Sequence, residues 1–405
     1  RIAMLNVKTV AEVNALVSES FGGLRMPTEQ VPLAEALGRV TAQDILSQEF
    51  VPNFNRATVD GYAVIASDVF GCTDAIPALL TLIGESRMGE PSTLSLQKGQ
   101  CAYVPTGAEL PANADAMVML EHAEDFGDGT IAINKPVAPG ANLIFRGDDV
   151  KPGQTVIPAG SLLSAAEIGT LAAMGVSRLA VVRKPLAGII STGDELVPAG
   201  QPLAGGQIRD VNAPMLAAAV RQCGGEAHFV GIIKDNQSAI RAALESALPG
   251  CDLLLLSGGT SVGVKDAMPA VISALGELLV HGVAAKPGKP TILGVIQNKP
   301  VFGLPGNPVA AYFMFHMLVR PLIYSMLGAQ PAERRLTLPL TRAVSSNHGR
   351  EEFVPVAITP NGAQPIASKS GLISTLACAQ GFIRIPRDCE GLPQGEPVEV
   401  ILFER

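Results

Sequence analysis

Several turns in this chain combine glycine with hydroxyl, carboxylate or ammonium groups, a combination that handles phosphates and other oxyanions. Ser257-Gly258-Gly259-Thr260-Ser261-Val262-Gly263 follows a run of leucines, Leu253 to Leu256. Glycines let the backbone come close to a ligand, and the N–H groups of such a turn, with those of the helix predicted after it, point at an anion. Alone, the turn reads equally as a tight connection in an α/β domain. Lys286-Pro287-Gly288-Lys289-Pro290 carries two lysines on a stiff loop, which is either a solvated turn or an anion clamp. Ser191-Thr192-Gly193-Asp194-Glu195 and Lys234-Asp235 add carboxylates, and Asp266 opens the helix predicted after the glycine turn. Asp60, before Gly61, reads equally as an ordinary turn residue or as a carboxylate presented on a loop. Arg146-Gly147-Asp148-Asp149 is a turn with a double carboxylate. His348 to Phe353 and Ser368 to Thr375 hold an Arg, a Lys and hydroxyls suited to an oxyanion, although by themselves they read first as polar hairpin surface.

The elements that must position these groups follow from periodicity. Strands are predicted at Leu186–Ser191, Ala227–Ile233, Asp252–Ser257, Thr291–Val295 and Val301–Leu304, and helices at Ala213–Gln222, Gln237–Leu248, Asp266–Leu275 and Pro308–Leu327. This alternation predicts a doubly wound, mostly parallel sheet over 181–328, with its crevice at the carboxyl ends of the strands. The carboxylate, glycine and Pro305-Gly306-Asn307-Pro308 turns all follow strands, so they converge on one edge. Residues 51–145 alternate Pro, Gly and short apolar runs and read as an inserted β domain. Residues 1–50 and 146–180 read as one discontinuous helical and extended domain, with Ser164 and Glu167 forming a capping box. Val31 to Arg39 reads as an extended piece followed by a helix closed by Gly38. Residues 329–405 read as a C-terminal β domain.

Composition bounds the possibilities. A chain of 405 residues exceeds one ordinary core, and 47% hydrophobic against 17% charged residues predicts a folded protein. A net charge of −7 with no Trp and four Tyr argues against general nucleic-acid binding, while leaving room for a local basic pocket. The cysteines at 72, 101, 223, 251, 378 and 389 form no Cys-x-x-Cys pair and are expected as buried thiols in a reducing cytosol. No signal peptide and no apolar run long enough to span a membrane is evident, so a cytoplasmic protein without a membrane partner is expected.

Six motifs then occur in order: Thr58-Val59-Asp60-Gly61-Tyr62-Ala63, Pro105-Thr106-Gly107-Ala108, Ser191 to Leu196, Ser257 to Gly263, Lys286 to Pro290, and Gly303 to Pro308. Over essentially the whole chain, this pattern resembles the MoeA family of molybdopterin molybdenumtransferases, which includes the gephyrin E domain. The resemblance implies an elongated homodimer that inserts molybdate into adenylylated molybdopterin and releases AMP, assisted by Mg²⁺. It implies transient docking with the molybdopterin adenylyltransferase. By the same resemblance Asp60, from the partner chain, acts in the reaction with Glu195 and Asp149. Substrate would be bound by Thr106, Thr192, Asp194, Ser257, Gly258, Gly259, Thr260, Ser261, Lys286, Lys289, Pro290, Pro305, Asn307 and Pro308. Molybdate would be bound by Lys286, Lys289, Arg350, Ser370 and Ser374, and the cation by Asp194, Glu195, Asp235 and Asp266. The pterin dithiolene supplies the sulfur ligands, so no cysteine cluster is needed. Three positions depart from the pattern. Ala310 stands where the family often has Ser, Val264 where it often has Glu, and Ala267 where it often has an aromatic residue. The competing readings are a molybdopterin adenylyltransferase, which resembles only the doubly wound domain, and a divergent paralogue or scaffold.

Overall fold

The computed structural model describes residues 7–258, 267–331, 333–366 and 371–403. Leu253–Ser257 lies inside a six-stranded sheet whose order is Glu226–Ile233, Leu186–Thr192, Leu253–Ser257, Lys299–Leu304, Ile292–Ile296, Glu277–His281. The first four strands are parallel, and the last two are antiparallel additions. The leucine run is continuous because both faces of this strand are covered. Leu253 and Leu255 join a core with Leu216, Val220 and Phe313, whereas Leu254 and Leu256 join another with Ile240, Leu244 and Ile272. All four leucines are fully buried, and burial of each contributes about 2 kcal/mol. Ile292–Ile296 and Lys299–Leu304 form a hairpin through Gln297 and Asn298, both at positive φ, as a two-residue primed turn requires. Glu277–His281 is an edge strand that the sequence reading did not contain.

The helix predicted at Pro308–Leu327 forms, but not uniformly. Phe315–Val319 widens into a π turn between helical pieces Pro308–Met314 and Arg320–Leu327. Pro321 is the local cause: it has no N–H to donate, and its ring crowds the carbonyl four residues earlier. By length and mean hydropathy this 20-residue segment could cross a membrane, which corrects the expectation that no such run exists. With 72% of its apolar window buried inside the protein, it is a core helix.

His316 lies on that π turn, against Tyr312, Phe382 and Phe403. Its Nε2 is buried without a hydrogen-bond partner among the described residues. Burial, reinforced by the Arg320 guanidinium and opposed by Glu333, pushes the imidazole pKa down to about 4. The unfolded chain therefore binds this proton more readily, so the stability contributed by neutral His316 is full above about pH 6.5 and is lost as pH falls toward 4. His316→Phe is expected to remove up to about 3 kcal/mol of that acid sensitivity. Urea unfolding at pH 7 and pH 4.5 measures it, and equal slopes in both proteins would contradict the assignment.

A second six-stranded sheet, within residues 61–133, runs Ala116–Met119, Gly61–Val64, Gln100–Val104, Ala78–Glu85, Thr130–Ile133, Ala123–Asp125. Gly61 is needed here, because a Cβ would meet the Val118 carbonyl oxygen at 1.9 Å. Burial of Cys101 in this sheet's core pushes its thiol up to about 12. Cys72, Cys223 and Cys251 are also buried, but Cys378 is exposed and Cys389 half-buried, against expectation.

Segments before and after this sheet meet again. Thr28–Pro32 pairs antiparallel with Arg178–Val182, and Ile45–Leu46 with Thr155–Ile157. Val31, Leu163, Leu171 and Val181 share one core, and Ser164 with Glu167 makes the capping box on Ala165–Ala173. The helix predicted after Val31 is only a 3₁₀ turn, Leu33–Glu35, with Gly38 at positive φ. The helix Val10–Phe21 leaves this group: Val10, Val13, Val17 and Phe21 pack into the core of the doubly wound unit.

The C-terminal sheet is ordered Ala285–Lys286, Glu351–Thr359, Gly381–Ile385, Pro397–Leu402, Arg335–Pro339, with Gly362–Pro365 also on Glu351–Thr359. Its first strand belongs to the Lys286 loop, so this loop is stitched to both units. Phe353 and Phe382 pack on Phe313, at 5.6 and 5.2 Å between ring centroids, and fix the sheet against the core helix.

Candidate active site

Three strand ends come together at the carboxyl edge of the doubly wound sheet. Thr192 and Ser257, both buried, end neighbouring strands, and Thr192 Oγ1 donates to the Ser257 carbonyl at 3.3 Å. Gly258 N–H reaches the Leu304 carbonyl at 3.3 Å. Gly258 has φ +91°, and a Cβ there would meet the Thr192 carbonyl oxygen at 2.3 Å. Gly258→Ala is therefore expected to lower stability by about 1–3 kcal/mol, read from the urea midpoint; an unchanged midpoint would contradict this close approach.

Asp210 organises the same edge and was not singled out in the sequence. It is buried, accepts Ser191 Oγ at 2.6 Å, and accepts the Asn212 and Ala213 N–H groups at 3.1 and 3.2 Å. It thereby satisfies the first donors of the helix Asn212–Gln222. Asn212 Nδ2 donates to the Gly306 carbonyl at 2.8 Å, tying this helix start to the Pro305–Pro308 turn. Arg-Asp-Val-Asn ahead of a helical pattern was the available signal, since an Asp beside a helix start is a capping cue.

Asp194 and Glu195 follow Thr192 as exposed residues, and Gly193 N–H reaches the Ile233 carbonyl at 3.2 Å. Their turn thus lies beside that of Asp235, which is half-buried. Among the described residues, no three His, Cys, Asp or Glu side chains assemble as a metal site. Asp266 lies outside the described residues, as do Gly259, Thr260, Ser261, Val264 and Ser370. Ala267 is the first residue of the helix Ala267–Leu275 and is buried.

Facing the Pro305 turn is a cleft of about 820 Å³ between the doubly wound unit and the C-terminal sheet. Lys286, Lys289, Pro290, Pro305, Asn307 and Arg350 all line it, so the lysine loop meets residues of two other segments that the resemblance grouped with it. The loop is held from within. Thr291 Oγ1 donates to the Gly288 carbonyl at 2.6 Å, and Val283 N–H donates to the Lys289 carbonyl at 2.9 Å. The Lys286–Pro287 peptide is cis. Gly288 lies so close to Met314 that a Cβ would meet its sulfur at 2.5 Å. Lys289 is exposed, whereas Lys286 Nζ pairs with Glu352 at 3.0 Å. Arg342, unforeseen in the sequence, also lines the cleft and donates to the Pro365 carbonyl at 2.6 Å. Ala310 is buried in the cleft wall, where it presents a methyl group. A cavity with two lysines, two arginines and apolar walls suits a dianionic group attached to a larger organic body.

Other expected site residues lie elsewhere in this chain. Ser374 is exposed at the start of the short helix Ser374–Cys378 and does not line the cleft. Pro308 is buried as the first residue of its helix, where a missing N–H is harmless. Asp60 and Thr106 meet each other, with Asp60 Oδ1 accepting the Thr106 N–H at 2.8 Å, but neither lines the cleft. Asp149 is an exposed turn residue whose N–H reaches the Val51 carbonyl at 3.1 Å.

The family pattern described as MoeA N-terminal region (domain I and II) matches residues 8–175, a probable molybdopterin binding domain matches 188–325, and MoeA C-terminal region (domain IV) matches 337–403. A putative molybdopterin biosynthesis protein of Methanocaldococcus jannaschii is 36% identical over 93% of this chain and 92% of its own length. A molybdopterin molybdenumtransferase of Bacillus subtilis is 34% identical over 93% of this chain and 90% of its own. A crystal structure of a molybdopterin biosynthesis moeA protein from Pyrococcus horikosii superposes with a TM-score of 0.84 at 40% identity, covering 99% of this chain and all of that one. With this identity, coverage and shared elongated multidomain α/β architecture, the chain belongs to the MoeA family.

Proposed function

We infer that this chain is a transferase of molybdenum cofactor biosynthesis that inserts molybdenum into molybdopterin. The observation that carries the reading is the cleft in which Lys286, Lys289, Arg342 and Arg350 face the Pro305–Asn307 turn, beside the Thr192 and Ser257 strand ends. The glycine turn suits the phosphate-bearing end of adenylylated molybdopterin, and the cationic cleft suits the incoming molybdate. In the reaction an oxygen of molybdate or water would add to the adenylyl phosphorus as the P–O bond of the linkage breaks, AMP would depart carrying that oxygen, and molybdenum would pass to the dithiolene sulfurs as their protons leave with a molybdate oxygen as water. Thr192, Ser257 and Gly258 would hold the pterin end, and Lys289 and Arg350 the oxyanion.

A divalent cation fits the carboxylates present. Mg²⁺ ordinarily takes one or two carboxylates and completes its shell with water and substrate phosphate. Asp194 and Glu195, with Asp235 on the adjacent turn and Asp266, are the carboxylates from which one or two would hold it. When bound, it would offset charge developing at the cleaving phosphate. Asp60 and Thr106 of the β domain, and Asp149 just after it, lie outside the cleft of their own chain, which fits a homodimer in which the partner chain completes each site. The division into residues 1–50 with 146–180, 51–145, 181–328 and 329–405 is part of this reading. So are a cytoplasmic location and transient delivery of substrate by a molybdopterin adenylyltransferase.

The experiment is a single turnover with adenylylated molybdopterin, Mg²⁺ and molybdate, quantifying AMP and pterin-bound molybdenum together. Equal yields are expected. AMP transfer from ATP to molybdopterin would instead identify an adenylyltransferase, and no turnover by the folded protein would identify a scaffold.

A further inference from the structure

Among the described residues lining the cleft, Glu352 is the only carboxylate. A negative charge in an oxyanion pocket weakens binding unless it does something else there. Glu352 and Lys286 are direct partners in the short parallel pairing of Ala285–Lys286 with Glu351–Glu352. Glu352 Oε1 lies 3.0 Å from Lys286 Nζ, while Oε2 accepts Ser346 Oγ at 2.7 Å. The carboxylate is therefore held at both oxygens, with its side chain only 13% exposed. Lys286 is different: its side chain is 41% exposed and carries its ammonium on a flexible four-carbon stem. The neighbouring Glu351 does not share this role, because Arg384 Nε donates to it at 2.7 Å and it does not line the cleft.

We propose that Glu352 is a positioning residue and internal counter-ion for Lys286, from which the substrate oxyanion draws the ammonium. In the empty cleft the pair holds Lys286 at the wall. When a tetrahedral dianion enters, Lys286 turns toward it and the Glu352 attraction opposes that turn. Glu352 thus sets how tightly the dianion is held, while Lys289 and Arg350 remain available for it. This rests on the reading of the cleft as the oxyanion site.

The test is a double-mutant cycle on the full-length protein, with molybdate affinity by calorimetry and molybdate KM and kcat from AMP release. Glu352→Gln preserves shape and removes the charge, and a melting curve confirms the fold. It is expected to tighten molybdate binding about fivefold and to lower KM in proportion. A merely structural role would weaken binding instead. In the Lys286→Met background the same substitution is expected to change affinity less than twofold, since the competition acts through Lys286. Unchanged or weaker binding in Glu352→Gln, or equal tightening with and without Lys286, would overturn the proposal while leaving the transferase reading intact. Failure of the unaltered protein to bind molybdate would overturn both.

Discussion

Lys289→Ala is expected to reduce molybdate-dependent product formation about 100-fold, the ~3 kcal/mol of a charge-assisted hydrogen bond to a dianion. The argument is geometric. Lys289 is exposed at the cleft and has no ion pair among the described residues, whereas Lys286 is tied to Glu352. Its loop is held by backbone contacts that alanine keeps: Val283 N–H to the Lys289 carbonyl, and Thr291 to the Gly288 carbonyl. The melting temperature is therefore expected to stay within about 2 °C of the parent, as for surface substitutions elsewhere. The molybdate half-saturation should rise and part of the loss should be recovered at high molybdate. A loss under about threefold would remove Lys289 from the oxyanion site.

The second large effect concerns Asp60. Its loop lies on the sheet that holds Gly61–Val64, its carboxylate accepts the Thr106 N–H, and it does not line the cleft of its own chain. If a partner chain brings it to the chemistry, Asp60→Ala and Lys289→Ala are each nearly inactive, yet mixing them restores activity. Random pairing makes half the dimers mixed, and each mixed dimer has one intact site, so about a quarter of parent activity per chain is expected. Co-expression with two affinity tags and a rate measurement on the mixture checks it. A mixture as inactive as its components would place Asp60 and Lys289 in the same chain's site, or Asp60 outside it.

These two cases show what sequence could and could not reveal. The doubly wound sheet was legible because its inner strands bury both faces: Leu253 to Leu256 alternate between two cores, and such a run has few other homes. The capping box at Ser164 and Glu167 was legible because both partners lie within one turn of sequence. The converging turns followed from strand ends. What escaped depends on contacts between distant residues. Asp210 matters through Ser191, and Asn212 through Gly306, and no spacing rule connects them. Arg342 enters the cleft only because the C-terminal sheet docks through Phe353 and Phe382 on Phe313. The helix Val10–Phe21 looked like a neighbour of the segments near it in sequence, but its apolar face matches the core helix Pro308–Leu327 better. That helix looked regular because hydrophobic periodicity does not register the hydrogen bond that Pro321 deletes. Ser374 was grouped with Arg350 by residue type, and a short exposed helix keeps it from the cleft.

The measurement that bears most directly on the central claim is AMP release from adenylylated molybdopterin by the unaltered protein, with Mg²⁺ present and with molybdate present or absent. The account predicts that AMP appears with molybdate and stays near background without it, and that a methyl group at Ala310 does not prevent this. Release that is indifferent to molybdate, or none from a folded protein, would contradict the assignment of the cationic cleft to the incoming oxyanion.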